Sequence, residues 1–213
     1  MVQCLSPDRA GPYADGVLRK AGRWFNPTTL ILAGLCFVLP FVSVGCDTPG
    51  GYAGTSPGGS TTYNGVALAV GGQPDVTEGH ERPVPPGEDD RLPPQPAAAV
   101  VLLLIVAATA FAIRVAEPRA RRAYVGGLAA AGATGLLVNQ ALVQAELTLR
   151  VSDHLTRLAA AGQKLDPTKS ARDYVHTGQG FGLCLLLLLV VIVVNAVGWW
   201  RARPRPALVS DST

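Results

Sequence analysis

Residues 180–200 read GFGLCLLLLLVVIVVNAVGWW, 21 residues without a charge, closed by a tryptophan pair and followed by Arg201, Arg203 and Arg205. An α-helix rises about 1.5 Å per residue, so about 20 apolar residues cross a hydrocarbon core of about 30 Å. The stretch has that length, and its aromatic and arginine-flanked end matches a membrane–water boundary. It reads as a membrane span, the fourth and strongest of the chain. Three weaker apolar stretches take their meaning from it.

Working back from it, residues 162–179 form a polar connector. The third span is 123–143 and contains GGLAAAGATG, in which Gly127, Ala131 and Gly135 lie four apart on a helix. Small residues at that spacing let two helices approach closely, so these three are candidate packing positions. Asn139, Gln140 and Asn195 are the strongly polar residues inside the spans, and hydrogen bonding between helices is the expected role of all three. The third helix is expected to extend outside to about residue 161. Leu147, Val151, Leu155 and Leu158 form a stripe at helical spacing, with Glu146/Arg150 and Asp153/Arg157 as opposite charges one turn apart. Gly162, with Pro167 beyond it, supplies the stop. Residues 147–151 also alternate as a strand would. The stripe runs four turns and the alternation only five residues, which favours helix.

Further back lie the basic turn 115–122 and the second span, 97–114. The loop 47–96 precedes them and has two unlike halves. Its first half is rich in Gly, Ser and Thr, has a turn signal at Asn64-Gly65, and ends in the short apolar GVALAVGG (65–72), read as a cap on the helix bundle. Residues 73–96 hold seven prolines and six acids against two arginines. Such a segment buries too little apolar surface to offset its ordering entropy, so disorder is expected. The first span is 28–46, with Pro40 expected to kink it in its outer third. Residues 1–27 read as a cytoplasmic leader, in which a short amphipathic helix around Val17–Phe25 would set Trp24 and Phe25 at the membrane surface. A rival reading makes 44–46, Val-Gly-Cys, a lipobox and anchors the chain at Cys46 as a lipoprotein. Ser43 at a position that favours leucine, and three further apolar runs, speak against it.

Composition agrees with a membrane protein: 48% of residues are hydrophobic and 15% charged. The leader, the 114–122 turn and the 201–213 tail hold 11 basic residues against 4 acidic ones, a net of +7. The two long loops hold 7 basic residues against 11 acidic ones, a net of −4. Basic residues in short flanks stay cytoplasmic. The expected fold is therefore an all-α membrane protein with four transmembrane helices and two long extracytoplasmic loops. It is expected as a multi-pass protein of the bacterial cell membrane with both termini cytoplasmic.

LPFVSVGCDTPGGY (39–52) followed by YNGVALAVGG (63–72) resembles uncharacterised small four-span membrane proteins of actinobacteria, and the GFGLCLLLLL that opens the last span resembles theirs. The likeness covers about a third of the chain. It implies a topology and no activity, cofactor or catalytic residue.

The chemistry-bearing residues are sparse. His80, His154 and His176 fall in the outer segments without metal-ligand spacing, and no phosphate-binding loop or nucleophile elbow exists, so neither a cofactor nor a metal is expected. A net charge of +3 without a basic-aromatic pattern excludes nucleic acid as an expected partner. The spans lack ionisable side chains, on which proton relays and ion pathways depend. A non-enzymatic envelope scaffold or accessory protein is the leading expectation, its partners the lipid bilayer and another membrane or envelope protein. A small transporter or channel subunit is the alternative. Cys46 and Cys184 both fall near the outer, oxidising face and are a candidate disulfide if their Cα atoms come within about 4.4–6.8 Å. Cys36, about ten residues deeper, is expected to stay a free thiol. The competing reading makes Cys46 and Cys184 simply small apolar residues in helix faces.

Overall fold

The computed structural model describes residues 12–45, 52, 59–77, 91–163 and 165–201, with the backbone alone over 12–23. The described chain is mostly helical. Its order is α1 (Pro12–Leu35), a 3-10 turn (Cys36–Val38), β1 (Pro40–Val44), β2 (Thr61–Asn64), α2 (Gly65–Val70) and β3 (Asp75–Val76). Then follow α3 (Pro96–Arg114), α4 (Pro118–Ala160), a second 3-10 turn (Ala171–Tyr174), β4 (Val175–Thr177) and α5 (Gln179–Arg201).

Helices α1, α3, α4 and α5 form a bundle in which α1 packs on α3 and α5, and α4 packs on the same two. On α3 the buried residues Ala98, Val101, Ile105, Ala108 and Ala112 recur at three- and four-residue spacing, so they share one face. Leu103 and Val106 on its other face are exposed, as are Leu186 and Val193 of α5. A helix apolar all round that buries only one stripe offers the rest to lipid. α3, α4 and α5 are each long and apolar enough to cross a membrane, and a shorter apolar stretch, Trp24–Val38, runs through the end of α1 and the first 3-10 turn.

Two expectations are corrected at the first span. The helix begins at Pro12, within the segment assigned to the leader, and it stops at Leu35 instead of running to residue 46. Pro40 does not kink a helix; it opens a strand. A residue before proline is pushed out of the helical region, and Leu39 sits at φ −79°, ψ 160°. The β-branched Val42 and Val44 then continue in extended backbone. The all-α expectation therefore holds for the bundle and not for its end.

β1 lies inside a four-stranded antiparallel sheet of order β3-β2-β1-β4. Val42 pairs with Tyr63 on one side and with Thr177 on the other. The β1–β2 register shifts between Pro40 and Val42, a bulge that leaves Phe41 as the extra residue. The bulge allows two consecutive residues, Phe41 and Val42, to be buried where strict alternation would bury one.

α4 runs 43 residues without interruption, about 64 Å at 1.5 Å per residue, or about twice a hydrocarbon core. Residues 147–151 are helical, and Leu147 and Val151 are fully buried. Farther along, Leu155 and Leu158 are only half-buried, so the stripe fades outward. Gly162 ends the helix at φ 80°, and Gln163 N–H donates back to the Leu158 carbonyl at 3.1 Å.

Asn64-Gly65 opens a helix instead of a hairpin turn. The Asn64 side chain accepts from Ala67 N–H at 2.7 Å, and α2 packs against α3 and the first 3-10 turn. Of the acidic, proline-rich segment, the two ends are ordered. Residues 75–76 form β3, Leu92 is buried, and Gln95 N–H donates to the Leu68 carbonyl at 2.8 Å. The expected disorder over 78–90 lies outside the described residues.

Candidate functional site

The bundle has two unlike ends. At one, Arg114, Arg119, Arg121, Arg122 and Arg201 gather with Trp24 and Trp200; at the other stand the sheet, α2 and the protruding half of α4. The sheet end is the candidate site, because a cavity there is lined by Ser43, Ser60, Lys169, Asp173, Tyr174 and His176 together.

Close backbone contact joins that end to the bundle. Gly178 N–H donates to the Phe41 carbonyl at 2.7 Å, and a side chain on Gly178 would run into the Pro40 backbone. Gly180, at the start of α5, lies equally close to Leu39 and Pro40. Two glycines therefore let α5 start directly beneath β1. Phe37, Phe41 and Phe181 fill the junction, with ring centroids 4.9 and 6.4 Å apart.

On the open side a cavity of about 320 Å³ is lined by Ser43, Ser60, Lys169, Asp173, Tyr174 and His176. The Lys169 ammonium lies 5.7 Å from the Tyr174 ring centroid, a cation–π distance. Asp173 closes a capping box: its carboxylate accepts from Ser170 N–H at 2.7 Å and from the Ser170 hydroxyl at 2.9 Å. Those two bonds, the backbone one first, hold the Asp173 carboxyl below the usual carboxylate range. Asp166 is lowered in the same way by the Thr168 hydroxyl and then its N–H. A second cavity, about 510 Å³, lies between α4 and β4, where Gln144 donates to the Thr177 hydroxyl at 2.8 Å. The arrangement offers hydrogen bonds and a few charges. Among the described residues no group of three or more His, Cys, Asp or Glu is placed to hold a metal ion.

No protein-family model, curated protein or solved structure matches the chain.

The packing candidates separate. Gly127 faces open space, with nothing within 4 Å of an added Cβ, and Ala131 is exposed. Gly135 alone of the three makes a tight contact, an added Cβ falling 2.9 Å from Val101 of α3. Four residues turn a helix by more than one revolution, so the row 127–131–135 drifts around the surface instead of following one neighbour. The close approach to α5 uses Gly126, whose added Cβ would lie 3.3 Å from Asn195, and Gly132, at 3.9 Å from Leu188.

Asn195 is buried and exchanges hydrogen bonds with Asn26 of α1, at 3.0 and 3.3 Å, while also donating to the Val191 carbonyl at 2.7 Å. Sequence alone does not single out Asn26, because it precedes the apolar run that marks the first span. Its signal is a polar residue between Phe25 and a run beginning at Thr28, at the depth of the last span's lone asparagine. Asn139 is buried, its side-chain oxygen meeting no partner in the bundle, and neither side-chain amide atom of the buried Gln140 meets one. Cys184 and Cys36 are both buried free thiols. Because the helix of α1 ends early and β1 lies beside Gly180, Cys36 falls near the depth of Cys184 rather than far below it. Cys46 lies outside the described residues. His176 lines the smaller cavity, the His154 ring stands edge-on to Tyr52 at 6.1 Å, and His80 lies outside the described residues.

Proposed function

We propose that this is a four-span protein of the bacterial cell membrane, both termini cytoplasmic, that works without catalysis as an envelope scaffold or accessory protein through its sheet end. One observation carries the reading. The polar residues buried in the bundle are amides and a hydroxyl (Asn26, Thr29, Asn139, Gln140, Asn195), whereas Ser43, Ser60, Lys169, Asp173 and His176 line a cavity on the sheet end. A bundle of that kind suits support, and ion or proton pathways usually place ionisable groups inside. α1 and the 3-10 turn that follows it supply the fourth span, with Trp24–Val38 as its apolar part. The arginines of the 114–122 turn and Arg201 mark the cytoplasmic side, which puts the sheet end outside.

Reporter fusions test the orientation. Fusions at Gly79 and Lys164 are expected outside, and those at Arg121 and the C-terminus inside. An outside signal from Arg121 overturns the four-span arrangement. The working surface is tested by photo-crosslinkers in living cells, placed at the exposed Asp75, Arg172 and His176 and at the lipid-facing Leu103 and Val193. Discrete heavier protein adducts are expected from the sheet-end positions. Adducts confined to the lipid-facing positions would remove the sheet end from the proposal.

A further inference from the structure

At the end of the bundle opposite the sheet, α4, α5 and α1 leave a cavity of about 670 Å³. Its rim carries Arg121 and Arg122 from the first turns of α4 and Arg201 from the last turn of α5. Its wall is formed by Val193, Val194 and Val197, all substantially exposed on the lipid-facing side of α5. The Asn26–Asn195 pair closes its floor. The shape is amphiphilic, with cations at the membrane surface and an apolar slot leading down from them.

Among the described residues, the charges at this rim have no carboxylate within ion-pair distance. Arg122 donates to the Gly198 carbonyl at 2.6 Å, which positions its guanidinium but neutralises nothing. The Nε–H of Arg121 is buried and without a hydrogen-bond partner among the described residues. The one ion pair among the described residues, Arg150–Glu146, lies on the far side of the bundle. Shielded guanidinium donors without an acceptor are costly, and a phosphate oxygen satisfies them with charge-assisted, often bidentate, hydrogen bonds. Exposed Trp24 and Trp200 set this end at the headgroup level, where lipid phosphates are concentrated.

We propose that this cavity binds the phosphate headgroup of an anionic phospholipid, held by Arg121, Arg122 and Arg201, with an acyl chain lying along Val193 and Val197. The inference rests on the bundle's being embedded in a bilayer, as proposed above. It adds a specific lipid site to a surface that would otherwise attract acidic membranes only diffusely.

Native mass spectrometry of the detergent-purified full chain with phosphatidylglycerol, phosphatidylcholine or inorganic phosphate tests it. The wild type is expected to retain phosphatidylglycerol in preference to phosphatidylcholine. Arg121→Gln should weaken that retention roughly tenfold, the equivalent of about one charge-assisted hydrogen bond. Arg201→Gln, at an exposed helix end where folding is little at risk, should weaken it in the same direction. Arg119→Gln, exposed on the same turn but outside the cavity, should leave it unchanged. Equal losses from Arg119→Gln and Arg121→Gln would mean diffuse attraction and overturn the site. Full retention in both cavity variants overturns it too, as does displacement of the lipid by equimolar inorganic phosphate, which would mark a free-anion site. Alkaline carbonate extraction of wild-type membranes separates the two readings. A chain released by carbonate ends the membrane assignment, whereas a chain that stays embedded without lipid preference ends this inference alone.

Discussion

Gly135 and Gly127 differ only in what stands opposite them, and that difference is measurable. A side chain at Gly135 meets Val101, itself fully buried, whereas one at Gly127 meets nothing. Overpacking of this kind costs about 1–3 kcal/mol. Gly135→Leu should therefore lower the melting temperature in detergent while Gly127→Leu leaves it nearly unchanged. Equal losses would mean that both positions touch a neighbour. The Asn26–Asn195 pair makes a second test. Hydrogen bonds between membrane helices contribute about 0.6 kcal/mol on average and up to about 1.7 kcal/mol. Replacing one asparagine by leucine strands the other's amide, so the double substitution should cost less than the sum of the singles. Strictly additive losses would show that the two side chains are not coupled.

Among the elements, the second 3-10 turn is the one whose stability should follow pH. Its capping box needs an ionised Asp173, and the folded state lowers that carboxyl's pKa. The stabilisation is thus complete above the ordinary carboxylate value of 3.8 and is lost as pH falls through the lower folded value. Hydrogen exchange should show residues 171–177 loosening in that acid window, and Asp173→Asn should loosen them already at neutral pH. Protection that stays constant through the window would mean the box does not hold the turn. β4 follows this turn directly, so its pairing with β1 should loosen together with it.

For the whole molecule, the sheet end is assembled from three separated stretches of chain, and residues 91–95 clasp it to the bundle. Arg150 donates to the Arg91 carbonyl at 3.3 Å, Gln95 donates to Glu146 at 3.0 Å, and Leu92 is buried. Leu92→Ala should cost about 2–5 kcal/mol, as deletions of buried leucine side chains do. Removing residues 80–89 should instead leave the melting temperature almost unchanged, since the closure entropy of a chain connection changes only slowly with its length. If the loop deletion destabilised as much as Leu92→Ala, the residues between β3 and the clasp would be part of the packed structure.

By itself the sequence determined what is written in local chemistry. Long charge-free runs mark α3 and α5, a four-turn apolar stripe carries α4 well beyond the length of a span, and Gly162 stops it. Each of these depends on residues within a few turns of one another, and helical hydrogen bonds close over four residues. The tertiary structure alone decided where the first helix gives way to a strand. The apolar run through 46 satisfies a helix as well as a buried strand, and Val42 is committed to the strand by pairing with Tyr63 and with Thr177, 135 positions away. It also decided which small residues pack, because a row of glycine and alanine is the same in sequence whether it faces Val101 or lipid. The same holds for the cation cavity, whose arginines come from two helices and whose floor is an asparagine pair spanning 169 positions of chain. Such partners are brought together only by the packing of the bundle.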